Sequence, residues 1–459
     1  MRFIRSSGTT VAFRILSLAC GFGISILIGR LFGPQGRGIY GLAMTVVVLS
    51  VNFGLFGIAG ANAYLIGGNP SRARALGIQS LVTGFLGALI AAIIVLTVRY
   101  FLPGVLGELQ GGVLWATLAI VPFFLWGTLF SYAFLGQGRI LAFNLFETAE
   151  KLALMGLGTV MLLAFHFELS SFFVTVAVAI GVVTIIYMVR YFSTLPGDGP
   201  LLDRSLITPA FSYGMRSYAA TITTFAVLRS GVFFVNYFRG AADTGLYSVA
   251  QQMAEALVII PSVIGTVLFS RVARGDSKKL APRVIRSAAF MLLPVSIALA
   301  IGRNMIFTTL FGPDFLPSGQ VFLLLLPGTF LLGIEVIMAS DIAGRGYPWT
   351  AALAWIPILI INIIGYVLLI PHYGISGAAI STTISFIALF IFMTWYYCRL
   401  GGYELADLFV VRREDLRTVI SALTALVSQK TKIASERTHD SKSHHREIKA
   451  EVERTGTQA

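Results

Sequence analysis

Apolar stretches long enough to cross a lipid bilayer recur along almost the whole sequence. A transmembrane helix needs about 20 apolar residues, and by that criterion the sequence predicts about twelve spans. They are 9–32, 37–60, 76–102, 112–135, 141–165, 170–192, 209–236, 243–269, 284–307, 319–343, 349–370 and 374–399. Charged residues make up only 12% of the chain, whereas a soluble domain carries about 25%. The sequence therefore predicts an all-α integral membrane protein whose main solvent is lipid.

The charge and the cysteines argue against several other classes. The formal net charge is +13, which in an apolar chain indicates basic cytoplasmic loops rather than a nucleic-acid partner. Cys20 and Cys398 lie far apart and give neither a disulfide framework nor a metal-ligand spacing. The sequence also lacks a nucleotide-binding Gly-rich lysine loop. We therefore predict no metal, no cofactor and no direct use of ATP.

Basic residues at the span ends predict the orientation. Fourteen lie at one set of ends and five at the other, namely Arg30, Arg37, Arg99, Arg239 and Arg303. Because cytoplasmic loops carry the excess of Lys and Arg, the larger set is predicted to be cytoplasmic. An even number of spans then puts both termini in the cytoplasm. The first span is too long for a signal peptide and lacks a small-residue cleavage site, so we expect it to be retained.

Three pairs of matching positions indicate an internal duplication. Gly38-Ile39-Tyr40 precedes Gly245-Leu246-Tyr247 by 207 positions, while His166 and His372, like Arg139 and Arg345, are 206 apart. A six-helix unit is even in number, so two copies enter the membrane in the same sense. The sequence thus predicts two parallel-repeat six-helix lobes, 1–200 and 201–400, around a central cavity. This arrangement is typical of transporters.

The chain changes character after the last span. Over 401–427, apolar residues at helical spacing alternate with arginines, which predicts an interfacial amphipathic helix on the cytoplasmic leaflet. Residues 428–459 are rich in charge and almost free of large apolar side chains. Such a segment cannot bury enough surface to fold, so it is predicted to be a disordered cytoplasmic tail.

A charged cluster interrupts the fifth span. Glu147 and Lys151 are one helical turn apart, and Glu150 is predicted to share their face. One interpretation is an ion pair that locks this span to a neighbour. The other is a site for a coupling ion, H+ or Na+, because charged side chains inside a membrane usually mark ion pathways.

Three arginines fall inside spans without an acidic residue within four positions. Arg14 and Arg216 lie about two turns into the first span of their lobes, and Arg229 lies about 20 Å further along the seventh span. Arg14 and Arg216 could also extend to the membrane surface, an explanation that suits Arg229 less. Guanidinium groups in a cavity attract anions and bind phosphate through paired hydrogen bonds. We predict that all three bind an anionic substrate group.

Several motifs resemble the polysaccharide (Wzx-type oligosaccharide and O-antigen) flippase branch of the multidrug/oligosaccharidyl-lipid/polysaccharide exporter superfamily. They are Gly29-Arg30-Leu31-Phe32-Gly33-Pro34, Leu228-Arg229-Ser230, Gly245-Leu246-Tyr247-Ser248-Val249-Ala250, Ile260-Pro261-Ser262, Leu268-Phe269-Ser270-Arg271, Leu310-Phe311-Gly312-Pro313, Gly344-Arg345-Gly346 and Pro371-His372-Tyr373-Gly374. Each motif is weak alone, but their order and spacing are specific. The resemblance covers residues 5 to 400.

The resemblance implies alternating access and the flipping of a polyprenyl-pyrophosphate-linked oligosaccharide to the outer leaflet. It places the chain in the cytoplasmic membrane of a prokaryote, with membrane lipid and polysaccharide-assembly proteins as further partners. One alternative is a cation-coupled drug exporter of the same superfamily, although those relatives typically have an acidic residue in the first span, where this sequence has Arg14. A peptidoglycan-precursor flippase usually has extra spans.

An alternative from another class is an integral-membrane polysaccharide polymerase or ligase. Such an enzyme needs an extramembrane loop for the reaction. The longest predicted outer connectors, near 100–112 and 307–318, are too short for a catalytic domain, and they contain no Ser-His-Asp set, paired carboxylates or metal ligands. We therefore predict no catalytic residue and no enzyme activity.

Overall fold

A computed structural model describes residues 2–165, 168–195, 203–274, 280–347 and 353–410, and within these ranges the secondary structure is helical. The side chains of Arg14 and Arg216 are not among those described. The principal helices are α1 (Arg2–Gly54), α2 (Ile58–Gly68), α3 (Ala73–Phe101), α4 (Pro103–Leu106), α5 (Gly111–Gly136), α6 (Ile140–Phe165), α7 (Leu169–Ser193), α8 (Ile207–Ala256), α9 (Ile259–Val272), α10 (Leu280–Phe311), α11 (Leu316–Gly344), α12 (Trp355–Gly401) and α13 (Leu405–Phe409).

Three of these helices are hairpins that reverse at a glycine. Gly33 in α1, Gly240 in α8 and Gly374 in α12 have φ values of 62°, 82° and 56°, a left-handed region that favours glycine. On α12, Asn362 donates to Ser385 at 3.1 Å although the two are 23 positions apart. A straight helix would separate them by about 35 Å. The chain therefore turns back on itself at each hinge.

The hairpins account for the predicted number of spans. Eight helices in the described part of the chain are long and apolar enough to cross a membrane. Three of them cross twice because they reverse at Gly33, Gly240 and Gly374, and α6, with the charged cluster, supplies one more crossing. The predicted architecture of about twelve spans is thus confirmed. The hinges cluster at one end of the molecule, which we call the hinge end.

The two lobes meet in a reciprocal contact that reflects the duplication. The N-lobe contains α1–α7 and the C-lobe contains α8–α12. A Cβ atom added to Gly38 would overlap the carbonyl oxygen of Ala241, and one added to Gly245 would overlap that of Pro34. Gly38 and Gly245, like Pro34 and Ala241, are 207 positions apart. Equivalent backbone atoms thus face each other across a pseudo-twofold axis, as expected for parallel repeats.

One of the three predicted repeat pairs, Arg139 and Arg345, does not occupy equivalent positions in the structure. Helices α5 and α11 end at Gly136 and Gly344, which are 208 positions apart. Arg345 is the C-cap of α11, and the C-cap of α5 is Gln137. Gln137, rather than the predicted Arg139, is therefore the structural counterpart of Arg345.

The opposite end of the molecule also brings the lobes together. The backbones of Gly57 and Gly214 are in close contact, and the rings of Tyr64 and Tyr213 stack with centroids 4.8 Å apart. In the predicted interfacial helix, residues 411–427 lie outside the described residues, as does the whole predicted tail. In the part described, Leu408 is buried in the C-lobe core. The predicted lobe boundary near residue 200 falls in 196–202, also outside the described residues.

Candidate functional site

A buried arginine joins the two lobes near the hinge end. The Arg37 guanidinium donates to Ser25 Oγ at 3.1 Å, to Ser248 Oγ at 3.3 Å and to Gln252 Oε1 at 2.8 Å. Ser25 Oγ also donates to Gln252 Oε1, at 2.8 Å. Arg37 is only 4% exposed, and its guanidinium lies 5.3 Å from the centre of the Tyr40 ring. Among the described side chains, its hydrogen-bond acceptors are neutral oxygens.

A second arginine, Arg229, lies before the Gly240 hinge of α8 and contacts the half of that helix that follows the hinge, about one turn beyond the Arg37 contacts. Arg229 and Glu255 form a bidentate pair, with nitrogen-to-oxygen distances of 2.8 and 3.0 Å. Gln251 donates to Glu255 Oε1 at 2.9 Å. The hairpin at Gly240 makes this pair, because it folds the seventh span back against the eighth. Both side chains remain about one quarter exposed, with values of 28% and 26%.

The two arginines share one face of the second half of α8. Ser248, Gln251, Gln252 and Glu255 follow the i, i+3, i+4, i+7 spacing that places side chains on one side of a helix. We call these four residues the α8 polar face. Arg37 contacts it from the N-lobe and Arg229 from the seventh span. Arg37 contacts Ser248 and Gln252, and the positions of Gln251 and Glu255 follow these by three residues, or about 4.5 Å of helix.

The charges at this face do not balance among the side chains described. Arg229 is neutralised by Glu255, whereas Arg37 is solvated only by hydroxyl and amide oxygens. A charged side chain near the middle of a bilayer costs about 2.5–3.5 kcal/mol on insertion scales. Eleven positions separate Arg229 from the hinge at Gly240, or about 16 Å, which is near the midplane of a core about 30 Å thick. Arg37, which carries the uncompensated charge among the described side chains, lies four positions, or about 6 Å, from the Gly33 hinge. The α8 polar face therefore combines an excess positive charge near the hinge end with a neutral ion pair at membrane depth.

The structure gives these arginines partners that the sequence analysis does not assign. Arg37, predicted at an outer span end, lies one turn after the Gly33 hinge and is buried between the lobes. Arg229 was treated as unpaired, yet Glu255 binds it from 26 positions away. The regular spacing of polar residues along the α8 polar face, which was not used in the prediction, is the sequence signal that reveals a buried partner. That these arginines contact substrate stays a prediction.

Arg14 and Arg216 cannot be placed in the same way. Arg14 lies in the first half of α1 and Arg216 in the first half of α8. Their side chains lie outside the described residues. That Arg14, Arg216 and Arg229 bind the same anionic group therefore stays a prediction.

The two carboxylates of the charged cluster in α6, Glu147 and Glu150, line a cavity in the N-lobe. Glu147 and Lys151 form the predicted ion pair, at 3.1 Å, on a partly exposed surface. The cavity encloses about 350 Å³. Its lining is Phe13, Ser17, Thr128, Ser131, Tyr132, Phe143, Asn144, Phe146, Glu147, Thr148 and Glu150. Glu150 is 6% exposed, and its Oε1 has no hydrogen-bond partner among the described residues. A buried carboxylate beside hydroxyl groups can take up a proton or a small cation.

Another charged pair lies at the far end of α11. Asp341 binds Arg345 at 2.7 Å and accepts a hydrogen bond from Tyr397, also at 2.7 Å. The Arg345 guanidinium lies 5.7 Å from the ring centres of both Tyr397 and Tyr403. This cluster ties α11 to the end of α12.

Comparisons with known proteins match this chain to glycan export proteins. It is 21% identical over 215 residues to the probable low-salt glycan biosynthesis flippase Agl15 of Haloferax volcanii, covering 43% of this chain and 46% of that one. It is 28% identical over 173 residues to the putative O-antigen transporter of Shigella flexneri, covering 37% and 41%. In both matches, the chain spans less than half the length of the relative.

A solved structure supports the fold. The inward closed conformation of the lipid II flippase MurJ superposes with a TM-score of 0.68 at 15% identity, covering 93% of this chain and 92% of that chain. This likeness confirms the predicted two-lobe architecture.

One family spans most of both lobes. The family described as polysaccharide biosynthesis protein matches residues 27–320. This range contains the hinge glycines Gly33 and Gly240 and the whole α8 polar face. This match agrees with the resemblance to the flippase branch that the sequence motifs indicate. The chain therefore belongs to the polysaccharide biosynthesis protein family.

Proposed function

We propose that this protein flips a polyprenyl-pyrophosphate-linked oligosaccharide from the cytoplasmic to the outer leaflet by alternating access. The observation that carries the proposal is the bidentate Arg229–Glu255 pair on the α8 polar face, at membrane depth and partly exposed. The names of the two curated relatives, a glycan biosynthesis flippase and an O-antigen transporter, support a lipid-linked glycan as the substrate. A pyrophosphate is the strongly anionic part of such a substrate.

The pair between Arg229 and Glu255 provides the binding chemistry. A guanidinium holds a carboxylate and a phosphate with the same paired geometry. Glu255 therefore occupies the place of a substrate phosphate when the site is empty, and the substrate exchanges with it. The exchange keeps Arg229 paired and frees the Glu255 carboxylate, which retains the hydrogen bond from Gln251 and takes up a proton or water from the opened cavity. Release of the substrate restores the internal pair, so the site resets without a buried, uncompensated cation.

The proposed transport direction follows from the basic residues. The described members of the larger basic set, such as Arg72, Arg139 and Arg345, lie at the end opposite the hinges, so we place the hinge end on the outer side and both termini in the cytoplasm of a prokaryotic cell. The Gly38–Gly245 contact and the Arg37 network then close the outer side. Alternating access requires both to separate when the substrate leaves. Polysaccharide-assembly proteins would receive it there.

The N-lobe cavity supports a role in coupling. Glu150 is buried and one of its oxygens lacks a partner among the residues described, so binding H+ or Na+ would stabilise it. The same observation favours a second candidate function, a cation-coupled exporter of small molecules. The two candidates differ in substrate, so a flipping assay with a lipid-linked sugar separates them.

The experiment uses purified protein in vesicles that contain a fluorescent polyprenyl-pyrophosphate oligosaccharide in one leaflet. We expect Arg229→Gln to reduce flipping at least tenfold and Arg229→Lys to restore it only in part, because an ammonium lacks the paired geometry. The matched control is Arg239→Gln, which removes the exposed partner of Asp243 on the same helix and should flip at the wild-type rate. Wild-type flipping by Arg229→Gln would disprove the role of this site, and absence of flipping by the wild type would disprove the proposed substrate.

A further inference from the structure

An apolar groove lies one helical turn from Arg229, at the junction of the two lobes. It encloses about 330 Å³. Its lining is Val46, Leu49, Ser50, Phe53, Ala91, Ile94, Val95, Val98, Val105, Leu106 and Phe233. Among the described residues of this lining, Ser50 alone has a polar side chain. On the lipid side, Ile94 and Phe53 remain 49% and 39% exposed, so hydrocarbon can enter from the bilayer.

The groove is built from both lobes. Most of its lining comes from α1, α3 and α4 of the N-lobe, and Phe233 comes from α8 of the C-lobe. The short helix α4 closes the hinge end of the groove. Asn236 holds this helix by donating to the carbonyl oxygen of Val105 at 3.1 Å. A movement of one lobe against the other therefore changes the width of the groove.

The position of the groove relative to Arg229 indicates what occupies it. Arg229 and Phe233 are four positions apart on α8, so about 6 Å of helix separates them. A lipid-linked pyrophosphate bound at Arg229 brings the first units of its hydrocarbon tail within reach of Phe233. We propose that the groove binds these first isoprene units during transport. The inference rests on the proposed function and adds a binding site for the hydrocarbon tail of the substrate.

A membrane phospholipid fits this arrangement less well. Its phosphate lies at the membrane surface, whereas Arg229 lies about 16 Å from the hinge by helical rise. A molecule with its phosphate at the middle of the membrane and its hydrocarbon directly beside it is one in transit. The apolar lining suits any hydrocarbon chain, so the depth of Arg229 is the observation that favours the substrate tail.

The test uses protein reconstituted in vesicles of phosphatidylethanolamine and phosphatidylglycerol. The probe is a polyprenyl-pyrophosphate oligosaccharide with a photoreactive diazirine in its second isoprene unit. We expect mass spectrometry to find the adducts on 46–53 and 91–98. Ile94→Trp, which fills the groove, should reduce labelling and flipping at least fivefold. Its neighbour Ile93 is similarly exposed, at 55%, and does not line the groove, so Ile93→Trp is the matched control and should change neither.

Three outcomes would overturn the inference. Adducts spread evenly over the lipid-facing helices would show that the tail stays in bulk lipid, as would wild-type labelling of Ile94→Trp. A diazirine phosphatidylglycerol that labels the groove, and that excess unlabelled substrate fails to displace, would show an ordinary acyl chain as the occupant. In each of these cases flipping by the wild type would leave the proposed function standing. Absence of flipping by the wild type would overturn both proposals.

Discussion

Gly38 and Gly245 touch backbone to backbone where the two lobes meet. A Cβ atom on either residue would lie 2.9 Å from the amide nitrogen of the other and would overlap a carbonyl oxygen of the opposite lobe. Backbone atoms cannot move aside as a flexible side chain can. The closed hinge end therefore depends on the absence of a side chain at both positions.

We expect Gly38→Ala to open the hinge end. The added methyl group forces the lobes apart, so the outward-open state should become dominant and flipping should fall at least tenfold. Spin labels at two exposed positions, Leu31 in the N-lobe and Tyr373 in the C-lobe, report the distance between the lobes in a variant that lacks the native cysteines.

Gly21→Ala is the control for this prediction. Gly21 lies on the same helix, α1, but a Cβ atom there would meet nothing within 4 Å. It should keep the wild-type distance distribution and the wild-type transport rate. Unchanged distances and transport in Gly38→Ala would show that the lobes tolerate a wider separation at this contact.

Arg37 gives a second prediction for the same end of the molecule. Its guanidinium spans three acceptors on two lobes, whereas a lysine ammonium cannot match that planar spacing. Arg37→Lys should lose two of the three hydrogen bonds, each worth about 0.5–1.5 kcal/mol. We expect the population of the outward-open state, measured with the same spin labels, to rise about fivefold or more. Arg99→Lys is the control, because Arg99 bonds to residues of its own lobe. Equal distances in both variants would contradict the prediction.

The sequence predicted the number of spans and the duplication because both leave a local record. Apolar length marks each span, and motifs at a constant offset, such as Gly38 and Gly245, mark the repeat. The pair between Arg229 and Glu255 could not be predicted in the same way. The two residues are 26 positions apart, and only the reversal at Gly240 brings them together. The burial of Arg37 could not be predicted for a related reason, since the apolar pattern does not show how closely two lobes pack near a hinge.

The buried pair between Asp341 and Arg345 yields a prediction for stability. Asp341 is fully buried and also accepts a hydrogen bond from Tyr397. Breaking a buried pair costs about 3–5 kcal/mol, because the remaining charge lacks its partner. Since Arg345 is partly accessible, we expect Asp341→Asn to lie at the lower end of that range. Thermal unfolding in detergent, followed by intrinsic fluorescence, measures the loss.

Asp243→Asn is the comparison for that measurement. Asp243 pairs with Arg239 at the same four-residue spacing, but the pair is exposed, and exposed pairs contribute about 0–1 kcal/mol. We therefore expect almost no change in its unfolding temperature. A similar loss in the two variants would mean that burial of Asp341 does not determine its contribution.

Glu150 separates the two interpretations of the charged cluster in α6. The Glu147–Lys151 pair is exposed enough for water to solvate both groups, whereas Glu150 lines the cavity with a carboxylate oxygen that lacks a described partner. If the cavity binds the coupling ion, the buried carboxylate is the group that must hold it. We expect Glu150→Gln to keep its unfolding temperature within about 2 °C or to raise it, because an amide needs no counter-charge. Flipping driven by a proton or sodium gradient should fall at least tenfold.

Glu147→Gln is the matched variant for this experiment, since it lies on the same helix and lines the same cavity but keeps its side chain partly in water. Its loss should weaken only an exposed pair, so stability should change by less than about 1 kcal/mol and gradient-driven flipping should stay within twofold of the wild type. The assay imposes each gradient separately on vesicles that carry the same lipid-linked sugar. Two results would count against Glu150 as the coupling residue. One is wild-type gradient dependence in Glu150→Gln, and the other is a larger loss of gradient-driven flipping in Glu147→Gln, which would move the ion to the mouth of the cavity.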